Sequence, residues 1–461
     1  MVTDNARPGP EPSESAAPPA GLDRGLRIYL LLWFSQFVSG VGTGLGSFAL
    51  GIWVYRQNAS TTQYAMTFLV GTCSALLVGP LAGVLADRWE RRKLILLGDA
   101  GAAMMTSLMA LALYTGQMRL WHVYIIIPFM TGFSALQGPA LTAMASQLVP
   151  RRQLGRVSGM AQAAGIATGI VCPPLAGALI PAIDYHGVIL IDITTFLFAF
   201  VVLLFIRLPL PTASRKRRSM LSDFLFGWTF IRERQGLLTL LGLFAVTNFS
   251  ISIVQVLLTP LILGFGSAAD LGVVRSAAAA GGLIGSLALS LWGGPRNRVA
   301  GILLFVFLKA PLLLLGALQP SVMLIAVATF LYVSLTPFTA GLSQAIWQSK
   351  VAHDVQGRVF AMRGLIATAT APLAYLLAGP LTDRVFRPLL VAGGPLADTV
   401  VGRLLGVGPG RGVGLMFICL ALLNLLAVGI ASLSPRLRHL ESEIPDVPHP
   451  SEPPVTAPAQ T

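Results

Sequence analysis

Twelve long apolar segments in a chain of 461 residues predict an all-α membrane protein with two six-helix halves running the same way through the bilayer. Three observations carry this expectation. The chain is 54% hydrophobic and only 11% charged, with a mean hydropathy of +0.74, whereas a soluble domain carries about 25% charged residues. That shortage leaves too little polar surface to cover a water-exposed globule, so lipid must serve as much of the solvent. A spanning helix takes roughly 20 mainly apolar residues, and a lipid-exposed backbone must satisfy its own hydrogen bonds, so the long apolar runs read as helices. Finally, the chain repeats itself. Val149-Pro-Arg-Arg-Gln-Leu-Gly155-Arg156-Val157 recurs as Val351-Ala-His-Asp-Val-Gln-Gly357-Arg358-Val359, an offset of 202, and Leu175-Ala-Gly177 recurs in the same register as Leu377-Ala-Gly379. The repeat places the fifth span on the eleventh, so the architecture is six helices plus six with both halves in the same orientation.

Residues 1–26, rich in Pro, Ala and Glu, read as a disordered tail with no cleavable signal peptide. The first half, 27–207, holds spans near 27–55, 62–86, 92–115, 119–148, 155–181 and 185–207. The fourth and fifth lean on Pro and Gly, which membrane helices tolerate. A linker, 208–235, opens with the basic run Arg215-Lys-Arg-Arg218 and continues as an amphipathic stretch, Met220–Ile231, expected to lie in the membrane interface. The second half, 236–435, holds spans near 236–265, 268–293, 297–319, 320–347, 355–382 and 411–434, with a long connection at 383–411. Boundaries of this kind are placed to within a few residues. Residues 436–461 read as a second disordered tail.

The net charge of +13 follows topology rather than nucleic acid. All Lys and Arg except Arg56, Arg119, Arg275, Lys309, Arg384, Arg387, Arg403 and Arg411 fall on the side of the two termini. This is the positive-inside pattern, with both termini cytoplasmic. The Arg215–Arg218 run is then an anchor facing anionic lipid. Cys73, Cys172 and Cys419 lie inside spans without paired spacing and read as small buried apolar residues. The five histidines are scattered, so neither a metal site nor a cofactor is expected. The run Gly406-Val-Gly-Pro-Gly-Arg-Gly412 superficially resembles a phosphate loop, but no strand precedes it and no Gly-Lys-Ser/Thr ends it.

Ionisable groups inside spans are costly and usually functional. Of the 19 acids only Asp99, in the third span, and Asp192, in the sixth, fall within apolar segments. If a carboxylate carries a coupling proton, these are the candidates. Asp99 lies about two turns from Arg92 and can equally extend an ionic network there. Asp192 is the preferred candidate for a proton or substrate role. Lys309, mid-way along the ninth span, is expected to pair with a carboxylate or to receive an anionic substrate. Arg275 and Arg363, nearer span ends, can snorkel. Gln36 and Asn248, in the first and seventh spans, are further candidates for a central cavity. Gly40, Gly42, Gly44 and Gly46 recur at a two-residue period, spread around the first helix, and are explained by close packing and flexibility.

The most informative stretch is the charged turn Gly83-Val-Leu-Ala-Asp87-Arg88-Trp-Glu-Arg91-Arg92-Lys93 between the second and third spans. It resembles the signature loop of the major facilitator superfamily, Gly-x-x-x-Asp-Arg-x-Gly-Arg-Arg. Gly83, Asp87, Arg88, Arg91 and Arg92 match, and Glu90 replaces a Gly. The resemblance implies a conformational switch. Asp87, at a helix end, can pair with Arg residues or with the positive N-terminal end of the eleventh helix near Asp354–Arg358. Plain anchoring by the positive-inside rule is the alternative. The matching loop of the second half, Gly293-Gly-Pro-Arg296-Asn-Arg298, lacks the acid.

The fifth span carries Gly169-x-x-x-Pro173-Pro174-x-x-Gly177-Ala178, which resembles the fifth-helix motif of exporters in that superfamily, with Pro173 and Ala178 as departures. Small residues allow close helix contact and Pro bends the helix, so packing with a kink explains the motif as well as a specific role does. The fourth span has no Arg, unlike many drug–proton antiporters.

Phe48-Ala-Leu-Gly-Ile-Trp-Val-Tyr55, Trp121-His-Val-Tyr124 and Ile346-Trp-Gln-Ser-Lys350 are similar to the macrolide-efflux and siderophore-exporter branch. Ala378-Gly-Pro-Leu-Thr-Asp-Arg-Val-Phe386 and the later Gly408-Pro-Gly-Arg-Gly412 are similar to bacterial exporters found beside peptide-antibiotic biosynthesis. The resemblance runs over about 27–435. It implies proton-driven export of a bulky amphipathic small molecule such as a drug, macrolide, siderophore or peptide natural product, by a monomer in the bacterial inner membrane. Its partners would be substrate, protons and lipid, with no nucleic acid. The alternatives are an importing symporter, a lipid flippase, or a sensor or scaffold without transport. An enzyme is not expected, because no nucleophile–base or metal constellation is present.

Overall fold

The computed structural model describes residues 21–206, 220–352, 354–408 and 410–443. The first group of helices is α1 (Gly21–Asn58), α2 (Thr61–Arg88), α3 (Arg91–Tyr114), α4 (Leu120–Leu148) and α5 (Leu154–Phe205). α6 (Met220–Glu233) follows the linker. The second group is α7 (Gln235–Leu263), α8 (Ala268–Trp292), α9 (Arg298–Ala317), α10 (Val322–Ser334), α11 (Thr336–Lys350) and α12 (Gln356–Pro380). A wider turn at Leu381–Phe386 then leads to α13 (Arg387–Leu389), α14 (Val400–Leu405), α15 (Arg411–Leu433), α16 (Pro435–Arg438) and α17 (Leu440–Glu443).

Eleven continuous helical stretches among the described residues are long and apolar enough to cross a membrane. α5 accounts for the twelfth expected span. Its 52 residues would extend ~78 Å at 1.5 Å per residue, far beyond the ~30 Å hydrocarbon core. The backbone breaks at Asp184, which takes φ 58° and ψ 178°. Its carboxylate accepts the Tyr185 backbone N–H at 2.7 Å, steadying a conformation that few non-glycine residues adopt. The expected tenth span is likewise divided between α10 and α11. Pro337, near the start of α11, has no N–H to offer the Val333 carbonyl.

The apolar interior is shared at one end of the bundle and divided at the other. At the end carrying the α1–α2 turn, one core joins Leu45, Ile52 and Ala176 to Ile253, Leu257, Leu271 and Ala378. At the opposite end Leu32, Leu94, Ile95 and Leu203 form a core of first-group residues. A separate one gathers Ile231, Leu237, Ile302 and Trp347. Ser60, Thr61 and Thr62 to Asp383, Tyr64 to Thr259, Ser276 to Ile170 and Arg387 to Ala59 are hydrogen bonds between the two helix groups, and all of these lie toward the shared end. Large apolar side chains left exposed around the bundle, such as Leu111 and Leu291, suit lipid rather than water.

The sequence repeat returns as two matching seams. Gly177 of α5 lies against Ala268 and Ala269 at the start of α8, and Gly379 of α12 lies against Thr62 at the start of α2. These glycines are 202 residues apart, and each lets a helix of one group touch the second helix of the other.

Helix extends into both stretches read as tails. α1 begins at Gly21, and α16 and α17 occupy residues expected to be unstructured. Leu437 and Leu440 are buried there, and Leu440 and the Arg436 carbonyl press on Gly236 of α7. Two apolar side chains in an otherwise polar stretch are enough to dock it. The remaining tail residues, 1–20 and 444–461, and the basic run 215–218 lie outside the described residues. The expected amphipathic stretch forms α6, whose Gly227 rests on the Arg358 carbonyl and Met362 of α12.

Candidate functional site

The fifth-span motif builds the seam between α5 and α8. Gly177 admits the Ala268 carbonyl: an added Cβ would stand 2.7 Å from that oxygen. Gly272 of α8 receives the backbone of Pro173 and Pro174 in the same way. Gly169 faces Ala279. Pro174 has no N–H, so the Ile170 carbonyl one turn earlier loses its intrahelical donor. Ser276 of α8 supplies the replacement, its hydroxyl donating to Ile170 O. The prolines therefore do more than kink the helix; they free an acceptor that the facing helix takes.

The matching seam carries an ionic cap. The first N–H groups of a helix lack internal partners and favour negative charge. At the start of α2 the partner comes from across the bundle. Asp383 accepts the backbone N–H of Thr61 at 3.2 Å and of Thr62 at 2.8 Å, together with the hydroxyls of Ser60 at 3.0 Å and Thr62 at 2.8 Å. Arg387 adds a 3.4 Å bond to the Ala59 carbonyl. Nearby, the Tyr64 and Thr259 hydroxyls are 3.0 Å apart, and Phe68 lies 5.5 Å from Tyr375, ring centre to ring centre. Sequence reasoning passed over Asp383 as an acid in the connection 383–411. The signal was its place four residues beyond the repeated Gly379.

Three cavities run along this interior. One of about 440 Å³ lies toward the divided end, lined by Trp33, Gln36, Phe37, Ala161 and Thr168. Thr168 also lines a second cavity of about 330 Å³ between the two groups, with Phe48, Tyr64, Thr259 and Arg275. Ser47, Gly51, Tyr64 and Phe68 are shared in turn with a third, of about 480 Å³, whose wall includes Asp192.

Asp192 is seated against the backbone of α1. Added Cβ atoms at Gly42 and Gly46 would stand 3.0 and 2.9 Å from its two carboxylate oxygens. These glycines are one turn apart, so they form a single smooth face. Thr43 Oγ1 reaches Asp192 Oδ1 at 3.4 Å. Gly44 points elsewhere, toward Cys172 and Thr168. The two-residue glycine period thus serves two neighbours on different faces. Asp192 is 2% exposed, and no Lys or Arg pairs with it among the described residues.

Asp99 is held differently. It is fully buried, with Gln36 Nε2 donating to Oδ2 at 3.1 Å and Gln137 Nε2 to Oδ1 at 2.8 Å. It thereby ties α1, α3 and α4 together and lines none of the three cavities. Lys309 is also fully buried, its Nζ 3.4 Å from Thr339 Oγ1 and 5.4 Å from the centre of the Tyr332 ring. No carboxylate reaches it among the described residues. Asn248 makes no hydrogen bond among the described residues. The polar link on α7 is instead Ser250, whose hydroxyl accepts from Asn424 Nδ2 at 2.9 Å.

The charged turn between α2 and α3 spans only Trp89 and Glu90. Arg92 donates to the carbonyls of Leu203 at 3.3 Å and Leu204 at 2.7 Å, capping the end of α5 where a cation is favoured. Lys93 pairs with Glu90 at 3.1 Å. At Gly83, Asp87, Arg88 and Arg91 the structure describes the backbone alone.

Residues 32–374 match the family model of the Major Facilitator Superfamily. The chain is 26% identical over 368 residues to Macrolide efflux protein A of Streptococcus pyogenes, covering 78% of this chain and 90% of that protein. It is 24% identical over 371 residues to the multidrug efflux pump Tap of Mycolicibacterium fortuitum, covering 77% and 89%. In fold it is similar to a bacterial homologue of the human lysosomal transporter Spinster, with a TM-score of 0.67 at 13% identity over 90% of this chain and 97% of the other. The nucleoside transporter NupG gives a TM-score of 0.66 at 12% identity over 88% and 99%. With a family model spanning most of its length and eleven long apolar helical stretches among the described residues, this chain is a multi-pass membrane transporter and belongs to the major facilitator superfamily.

Proposed function

We propose that the protein is a secondary exporter that moves a bulky amphipathic small molecule outward in exchange for protons, by alternating access. The observation that carries this reading is the placement of Asp192. It is an unpaired acid in the wall of a cavity that continues into the space between the two helix groups. A carboxylate there can hold a proton or release it as substrate enters, whereas both oxygens of Asp99 are already engaged by glutamine amides. The efflux names of two relatives favour outward transport.

In this reading residues 27–207 and 236–435 rock as two bodies joined by 208–235. Both termini face the cytoplasm of a bacterial cell, and the transporter works as a monomer in the plasma membrane. The end with the shared core is then the outer one, and the molecule stands open to the cytoplasm. The Asp383 cap and the α5–α8 seam hold the outer side shut. The turn at 83–93, with Gly83, Asp87, Arg88 and Arg91, holds the inner side shut in the opposite state. The test is uptake of a radiolabelled macrolide or siderophore by energised inverted vesicles. Gradient-dependent accumulation is expected; accumulation only in right-side-out vesicles would make the protein an importer.

A further inference from the structure

The central cavity contains one charged side chain among its described lining residues, and it is a cation, Arg275. α8 carries it seven residues beyond its first residue, or ~10 Å along the axis. From there the side chain does not run out to the helix end. Nη2 donates to the Gln255 carbonyl and to Thr259 Oγ1, each at 3.2 Å. Thr259 Oγ1 is in turn 3.0 Å from the Tyr64 hydroxyl of the other helix group. α7 and α2 therefore fix the guanidinium in place. A guanidinium has five N–H donors, and the Nε and Nη1 donors of Arg275 have no partner among the described residues. No carboxylate lies within ion-pair range of it there.

A fixed cation without a counter-ion in a membrane interior is costly and marks a functional site. The free side of the guanidinium is a planar fork that matches the two oxygens of a carboxylate. Phe48, Tyr64 and Phe68 supply an apolar and aromatic wall beside it. The adjoining cavity, through shared Ser47, Gly51, Tyr64 and Phe68, extends the space for a long apolar body.

We propose that Arg275 is a substrate-binding residue that receives the carboxylate of an amphipathic acid, with the apolar part of the molecule lying along Phe48, Tyr64 and Phe68. The inference rests on the export reading and narrows it. Among bulky amphipathic molecules it selects acid-bearing ones, such as acylated peptides, over those whose only charge is an amine.

The test uses the full-length protein in lipid nanodiscs and two probes, N-dodecanoyl-glycylglycine and its C-terminal carboxamide. Binding is followed by tryptophan fluorescence without any gradient. The acid is expected to bind at least tenfold tighter than the amide, with Arg275→Gln abolishing the preference and Arg275→Lys keeping part of it. Equal affinity for both probes, a preference that survives Arg275→Gln, or no binding of either would overturn the assignment. The wild-type comparison of acid with amide stands even if a variant folds poorly. Inverted vesicles separate this claim from the export reading. Arg275-dependent binding of the acid without gradient-driven accumulation would support the site and count against export.

Discussion

Ser276 of α8 donates its hydroxyl to the Ile170 carbonyl of α5, the acceptor that Pro174 leaves without an intrahelical donor. The bond can be broken as the seam opens only at the expense of an unpaired backbone acceptor. A typical net hydrogen bond contributes ~1 kcal/mol. Ser276→Ala is therefore expected to shift the balance toward the state with this seam open by about fivefold, at ~1.4 kcal/mol per factor of ten. Spin labels on the exposed residues Asn58 and Val400, with the native cysteines replaced, would read this as a larger long-distance fraction. An unchanged distance distribution would show that the bond does not control the seam.

A bulky residue in the same seam acts more strongly. Gly177 and Gly272 each admit backbone atoms of the facing helix, with 2.7 Å between an added Cβ and its nearest neighbour. Gly177→Val and Gly272→Val are each expected to prevent full closure and to cut transport at least tenfold while the protein still inserts. Gly40→Val is the control, because nothing lies within 4 Å of a Cβ there. Normal transport by Gly177→Val would show that the close contact is dispensable.

Asp383 makes the second seam sensitive to charge. Asn keeps one acceptor oxygen but presents an amide to donors and removes the negative charge at the start of α2. Replacing a charged cap of this kind costs about 2 kcal/mol, so Asp383→Asn should open the Asn58–Val400 side further than Ser276→Ala does. If its distance distribution matched the wild type, the cap would be only a local helix stop.

Two further buried ionisable groups, Asp99 and Lys309, should behave as structural elements. Asp99→Asn opposes one amide to another and is expected to lower stability by about 1–3 kcal/mol through lost pairing, while substrate-dependent proton movement persists. Lys309→Met removes a buried charge that has no carboxylate partner among the described residues. By the cost of burying charge it should retain transport and raise the melting temperature. Thermal unfolding in detergent checks both, and loss of transport in Lys309→Met would return that residue to the substrate path.

The spans were legible because lipid demands long apolar runs, and twelve such runs survive in the chain. The equivalence of Gly177 and Gly379 was legible too, because both stand in one repeat, but the helices they touch were not. What stayed hidden depends on partners distant in sequence. Gly42 and Gly46 read as residues of close packing and flexibility, but that Asp192, some 150 residues away, is what packs on them has no local mark. Asp192 itself stood out as an acid in an apolar run, but its cavity is formed by five helices. Arg275 read as a snorkelling cation because nothing local reveals that Thr259 and the Gln255 carbonyl hold it inward. Asp383 read as a loop acid because the wider turn at Leu381–Phe386 that aims it at α2 leaves no mark in hydropathy.

The most direct test of the account concerns Asp192 and coupling. Energised inverted vesicles carrying the protein are loaded with a pH-sensitive dye, and substrate is added. The account predicts substrate-dependent proton release from the lumen in the wild type and in Asp99→Asn, and none in Asp192→Asn. It also predicts that Gly46→Ala, which presses a methyl group on the Asp192 carboxylate, reduces the release without abolishing substrate binding. Undiminished release from Asp192→Asn would contradict the central claim and move the coupling proton elsewhere.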